Sequence, residues 1–139
     1  MKRFIPLVVL AFITAPAFAS GGKEFVRELN EDEVSRIEHQ LALVLRSESP
    51  YLVVDAGEIA RTLKEIRPEQ SFSELVIPLM AIIKDDGRTA GERVVAARAL
   101  HELRNPRGDF AIRRAAIMDE SELLRTVSLY LAYERLQKR

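Results

Sequence analysis

Few residues of this chain have a type and spacing that could do chemistry. The two histidines, His39 and His101, lie far apart in the sequence, and neither belongs to an HExxH motif or another close ligand pair. A metal site at either histidine would need carboxylates such as Glu102 as further ligands, and the sequence spacing does not indicate such a site. Cysteine is absent, which excludes disulfides, cysteine nucleophiles and thiolate zinc sites. The sequence therefore predicts no metal site and no cofactor.

Carboxylates cluster at three places, and each cluster precedes or opens a predicted helix. The clusters lie at residues 31–33, 85–86 and 119–122. Negative charge at a helix start complements the helix macrodipole, so capping explains these clusters. They lack the twelve-residue spacing of a calcium loop, and no cleft can be placed for a glycosidase pair. Because GxSxG motifs and glycine-rich phosphate loops are also absent, the sequence predicts no catalytic residues and a protein that is not an enzyme.

A run of arginines is the other charged feature. Its members are Arg104, Arg107, Arg113 and Arg114. Glu102 and Asp109 are interspersed with them, which favours a solvated helix face, with binding of an anionic partner as the alternative. The chain has 21 basic and 21 acidic residues, so its formal net charge of +0 gives no electrostatic case for nucleic acid.

The first residues have the composition of a secretory signal peptide. Lys2 and Arg3 precede an uncharged run at residues 4–19, which ends in Ala-Phe-Ala before Ser20. The run contains two prolines and is shorter than the roughly 20 residues that span a bilayer, which disfavours an uncleaved anchor. We expect cleavage of residues 1–19 after Ala19. The mature chain is then exported, to the periplasm of a diderm cell or to the medium, without membrane insertion.

The rest of the chain is predicted to be all-helical. Apolar residues recur at three- and four-residue spacings, and no stretch alternates with period two. Residues 20–32 are predicted as a flexible leader or short helix, and residues 33–139 as six helices in three antiparallel hairpins. Leu52 and Phe110 are assigned to inward-facing stripes.

The middle hairpin, residues 71–103, is the most regular. Ser71 with Glu74 and Thr89 with Glu92 have the spacing of capping boxes for its two helices. Pro78 predicts a bend in the first of them.

Caps are also predicted on either side of the middle hairpin. Asn30 with Glu33 is assigned to the first helix of the repeat domain, and Asp119 with Glu122 to the last helix.

Internal repetition indicates how the hairpins are arranged. Aligning Val53, Arg93 and Arg125, at separations of 40 and 32 residues, brings corresponding positions of the three second helices into register. One aligned column contains Ala56, Ala96 and Ser128. Two-helix units at this period are typical of helical solenoids.

At these positions the chain resembles the HEAT repeat family, particularly the short bacterial HEAT-like repeats. The resemblance covers residues 33–136 and rests on the IPLM run at 77–80, the turn at Asp85 and Asp86, Arg93 before an alanine-rich helix, and the NPRGDFAIRRAA run at 105–116.

The first unit departs from the pattern, with Val53 in place of arginine and with Gly57, which weakens a helix by about 1 kcal/mol relative to alanine. The resemblance implies an α-solenoid, a HEAT-like or armadillo-type superhelix. Such a fold presents a concave surface to a protein or peptide partner, and the resemblance implies no catalytic residues.

Two surfaces are predicted to bind partners. The first contains the positions five and eight residues after the aligned residues, on the concave side. These are Glu58 and Arg61, Arg98 and His101, and Tyr130 and Tyr133. Arginine with aromatic residues is the composition of interface anchors. An ordinary mixed surface is the alternative.

The second surface is an extra apolar face on the last helix, formed by Leu129, Tyr133 and Leu136. A terminal solenoid helix normally has a polar outer face. Either the leader, with its apolar residues between Phe25 and Leu29, folds over this face, or another subunit or a partner docks there, which includes a homo-oligomer formed through this helix.

The leading hypothesis is an exported, non-catalytic protein-interaction module whose partner is a protein or peptide. The alternative is a small periplasmic enzyme or ligand-binding protein that uses the concave face around His101.

Overall fold

The computed structural model describes residues 22–138, and in this part of the chain all regular structure is helical, as the sequence predicts. The α-helices are α1 (Gly22–Glu28), α2 (Glu31–Val44), α3 (Pro50–Ile66), α4 (Val76–Lys84), α5 (Ala90–Leu103), α6 (Pro106–Met118) and α7 (Glu122–Gln137). A 3-10 turn, Ser73–Leu75, precedes α4. The predicted signal peptide at residues 1–19 lies outside the described residues.

Side-chain caps fix the starts of several helices. Asn30 with Glu33 and Thr89 with Glu92 form complete capping boxes at α2 and α5, as predicted. At α7 the predicted cap is wrong. The Ser121 hydroxyl accepts from the Leu124 amide at 3.3 Å, whereas the Asp119 carboxylate accepts from the Ser121 amide and from the Arg93 guanidinium.

The capping box predicted at Ser71 is also wrong. Phe72 is buried and has a left-handed backbone with φ of 49°, so the chain turns there and α4 begins only at Val76. The amide of Glu74 donates to the Glu38 carboxylate at 2.7 Å, and its own carboxylate lies 3.1 Å from His39 Nδ1. Pro78 therefore falls in the first turn of α4. Its missing amide would have no intrahelical acceptor there, which removes the reason for a bend.

Consecutive helices pack in three pairs: α2 on α3, α4 on α5, and α6 on α7. Helix α5 also packs on α3, α6 and α7, and α4 packs on α6. The predicted inward stripes are mostly buried, but Leu52 and Phe110 are 51% and 59% exposed. Each is the sequence neighbour of a buried residue, Val53 or Ala111. Because consecutive side chains of a helix point about 100° apart, a neighbour of a buried residue can face the solvent.

Two glycines allow helices to approach closely. A Cβ on Gly57 would lie 2.5 Å from Val95 Cγ1 of α5, and one on Gly108 would lie 2.6 Å from Leu100 Cγ. The weak helix propensity of Gly57 is therefore accompanied by a packing requirement that the sequence alone does not reveal.

The short helix α1 packs against α3. Val26 is buried, and the Arg67 guanidinium, just beyond α3, donates to the carbonyl oxygens of Val26 at 3.1 Å and Leu29 at 2.9 Å. The alternative in which these leader residues cover the last helix is therefore not found. Helix α1 lies against α3 instead, because Arg67 donates hydrogen bonds to the carbonyl oxygens of Val26 and Leu29.

Candidate functional site

A groove of about 570 Å³ runs across α3, α5 and α7, the second helices of the three pairs. Residues from all three helices line it, and the ones that bear on function are Arg61, Arg98, His101, Glu102, Tyr130 and Glu134. Four of the six positions assigned to the concave side thus share one groove. Of the other two, Glu58 lies 3.5 Å from Arg61 in an ion pair and Tyr133 does not line the groove.

Arg98 and Tyr130 are the accessible members of the groove. Arg98 is exposed and makes no ion pair or side-chain hydrogen bond with the part of the chain that the structure describes. Tyr130 is 64% exposed. A free guanidinium beside an exposed phenol can bind a carboxylate, a carbonyl oxygen or an aromatic side chain.

His101 is predicted on the accessible concave surface, but it is only 7% exposed. Its Nε2 lies 3.7 Å from Glu134 Oε1, and its carbonyl oxygen accepts from the Arg135 guanidinium. Burial, together with the positive charge of Arg135, lowers the pKa of His101 below its usual 6.5. Helix α7 packs over this end of α5, and repeat spacing alone does not show that it covers the histidine.

Glu134 is held at the edge of the groove by another contact. Its carboxylate accepts from Lys138 Nζ at 2.7 Å, and this hydrogen bond lowers the pKa of Glu134. The groove is therefore lined by a largely buried imidazole with a lowered pKa and by a paired carboxylate, and Arg98 is a cation without an ion pair among the described residues.

The extra apolar face predicted on the last helix is exposed. Leu129, Tyr133 and Leu136 of α7 are 63%, 60% and 64% accessible. These residues lie outside the groove, whereas the neighbouring residue Tyr130 lines it.

A second groove, also of about 570 Å³, lies between α4 and α6 and was missed in the sequence. Phe110, Arg114 and Met118 of α6 line it together with Met80 and Lys84 of α4. On each helix these residues are four positions apart, a spacing that places them on one face and could have been recognised in the sequence. The assignment of Phe110 to the inward face hides this pattern.

Three or more His, Cys, Asp or Glu side chains do not converge as metal ligands anywhere in the described residues. Between Gly22 and Lys138, none of the helices has both the length and the apolar character needed to cross a membrane.

Comparisons with protein-family models, with curated proteins and with solved structures give no match.

Proposed function

We propose that the protein is an exported α-solenoid of the HEAT-like type, built from about three antiparallel hairpins, that acts as a non-catalytic protein-interaction module. The hairpins are the three helix pairs, and the row α3, α5, α7 forms the concave side. The contacts of α5 with both α3 and α7 support this arrangement, because units of a solenoid pack mainly on their neighbours.

The aligned arginines support the repeat. Arg93 is the fourth residue of α5 and donates from Nε to the Ile83 carbonyl at 3.0 Å, at the end of the preceding helix. Arg125 is the fourth residue of α7 and donates to the Asp119 carbonyl at 2.7 Å, directly after its preceding helix. Both arginines therefore satisfy carbonyl oxygens at the turn of their own hairpin.

The observation that carries the interaction function is the groove formed by α3, α5 and α7. Its lining comes from three units, so a segment bound along it contacts the whole row, and it contains an unpaired arginine and an exposed tyrosine. These residue types dominate binding energy at protein interfaces. The partner is a protein or peptide that places an acceptor group at Arg98.

The alternative function, an enzyme or ligand-binding protein centred on His101, has one observation in its favour. His101 lies 3.7 Å from Glu134 and has a lowered pKa, as a general base could. The groove is open to solvent, and the imidazole is almost fully buried beneath it, which favours the interaction function over this alternative.

Affinity capture with quantitative mass spectrometry tests the interaction function. The tagged full-length chain is compared with the double variant Arg98→Glu/Tyr130→Ala and with the control Arg36→Glu/Tyr51→Ala, whose positions are exposed and lie outside the groove. We expect a specific partner whose recovery falls by about tenfold or more with the groove variant only. Equal recovery with both variants would contradict the proposal.

Export is tested on the same material. Sequencing of the purified chain from its N-terminus is expected to begin at Ser20, and a chain that retains Met1 in the cytosol would contradict export.

A further inference from the structure

The outer face of α7, which carries Leu129, Tyr133 and Leu136, has no other helix packed on it among the described residues. Gly57, Ala97 and Leu129 occupy the same register position, four residues after Val53, Arg93 and Arg125. In α3 this position packs against the next helix, since a Cβ on Gly57 would clash with Val95. In α5 it is fully buried alanine, but in α7 it is leucine with 63% exposure. Among the described residues, α7 therefore carries a large exposed apolar side chain at the position where α3 and α5 have a small, covered residue.

The exposed residues of α7 are matched about its midpoint. All eight exposed residues of the helix form pairs that are equidistant from the point between Leu129 and Tyr130. These pairs are Glu122 with Gln137, Leu123 with Leu136, Thr126 with Tyr133, and Leu129 with Tyr130. A second α7 lying antiparallel across a two-fold axis would therefore bring together the large side chains of two of these pairs, place Thr126 beside Tyr133, and leave polar side chains at both ends.

Charge favours the same antiparallel orientation. Exposed Glu120 and Glu122 lie at the start of α7, and Lys138 follows its end. In an antiparallel pair each acidic end meets the basic end of the other copy, and the two helix macrodipoles oppose each other. A parallel pair would bring like charges together.

We propose that a second copy of this chain covers the outer face of α7, so that two rows of helices join through antiparallel α7 helices. The inference names an occupant for the apolar face of α7 and rests on the proposed function for the register of α3, α5 and α7. One helix face is smaller than a standard interface, so the expected dissociation constant is on the order of 10–100 µM.

Disulfide trapping tests the orientation, because the chain has no cysteine of its own. Leu123→Cys and Leu136→Cys replace exposed side chains near opposite ends of α7. In an antiparallel dimer each cysteine meets the other position in the second copy, and two copies of one position lie about 20 Å apart. We expect an intermolecular disulfide when the two variants are mixed and oxidised, and little from either variant alone. Efficient self-linking of Leu123→Cys alone would overturn the antiparallel pairing.

Sedimentation equilibrium tests whether the face is used at all. Leu129→Asp should shift the wild-type monomer–dimer equilibrium to monomer by about tenfold or more, whereas Ile117→Asp, at an even more exposed apolar position on α6, should leave it unchanged. A wild-type chain that is monomeric up to about 0.5 mM, or equal effects of both variants, would overturn the proposal. A chain that captures its partner through Arg98 but forms no mixed disulfide would overturn this inference and leave the interaction function standing.

Discussion

Helices α5 and α7 are aligned with each other in the proposed repeat but are buried to different extents. Helix α5 buries eight residues, among them Glu92, Arg93 and His101, whereas α7 buries only Leu124, Ser128 and Leu131. The difference follows from their neighbours, since α5 packs on four helices and α7 on α6 and α5. Polar side chains are buried in the middle of the row, and apolar ones are exposed at its end.

Neighbours therefore decide burial more than residue type does. His101 of α5 is buried, while Tyr133, at the same register position of α7, is 60% exposed. The buried polar groups of α5 are satisfied by contacts between helix pairs. Arg88, for example, donates to the Glu92 carboxylate at 2.8 Å and to the Ser47 carbonyl of the first pair at 2.7 Å. Burial raises the pKa of Glu92, but the hydrogen bonds of its carboxylate with Arg88 and Thr89 outweigh burial and lower the pKa.

The largest predicted difference between the two helices is at the aligned arginines. Arg93 is 5% exposed and holds both the Ile83 carbonyl and the Asp119 carboxylate, so Arg93→Ala should lower the free energy of unfolding by about 3 kcal/mol. Arg125 is half-buried and bonds only carbonyls, so Arg125→Ala should lower it by about 1 kcal/mol. Urea denaturation measures both values. Equal losses would mean that the middle and the end of the row are equally constrained.

The next effect concerns the close contacts around α5. Gly57→Ala and Gly108→Ala should each destabilise by about 1–3 kcal/mol, because the new methyl group overlaps Val95 or Leu100. Gly91→Ala, in the exposed first turn of α5, has its nearest neighbouring atom 3.9 Å away and should stabilise by about 0.5–1 kcal/mol. If Gly57→Ala also stabilises, the α3–α5 contact is looser than described.

The sequence was sufficient for the all-helical class and for most inward-facing residues, because apolar spacing of three and four residues reports the buried side of a helix directly. It failed where a contact from a distant part of the chain decides the outcome. Ser71 does not cap a helix, because the chain turns at buried Phe72. Asp119 does not cap α7, because its carboxylate accepts a hydrogen bond from Arg93.

The candidate site shows the same limit. Register placed Arg61, Arg98 and Tyr130 on one side of the row, and the groove brings them together. The spacing of the repeat could not show that His101 is buried against α7 and Arg135, because it does not report how the next helix pair packs on α5.

A smaller effect of opposite sign is expected at Ser128. This residue is fully buried in α7, its hydroxyl has no hydrogen-bond partner among the described residues, and it aligns with Ala56 and Ala96. Ser128→Ala should therefore stabilise the fold by about 1 kcal/mol, measured by urea denaturation. A loss of stability would argue that the hydroxyl has a partner and that α7 is not packed like α5.

The smallest effect is the pH dependence caused by His101. Its pKa is lower in the folded chain than the usual 6.5, so below that pH the unfolded chain binds a proton that the folded chain does not. The free energy of unfolding should fall as the pH is lowered from about 7 to 5. His101→Gln should flatten this slope, and His39→Gln, which removes the other histidine, should retain it. An unchanged slope in His101→Gln would show that the imidazole is not held neutral between α5 and α7.

Site-specific photo-crosslinking in living cells tests the interaction function most directly. A photoreactive amino acid is placed at Arg61 of α3 or Arg98 of α5, which line the same groove, and at exposed Arg36 of α2 as a control. If one partner binds along the groove, positions 61 and 98 crosslink the same partner protein and position 36 does not. Different proteins at positions 61 and 98, or equal crosslinking at position 36, would contradict a single binding groove across the row.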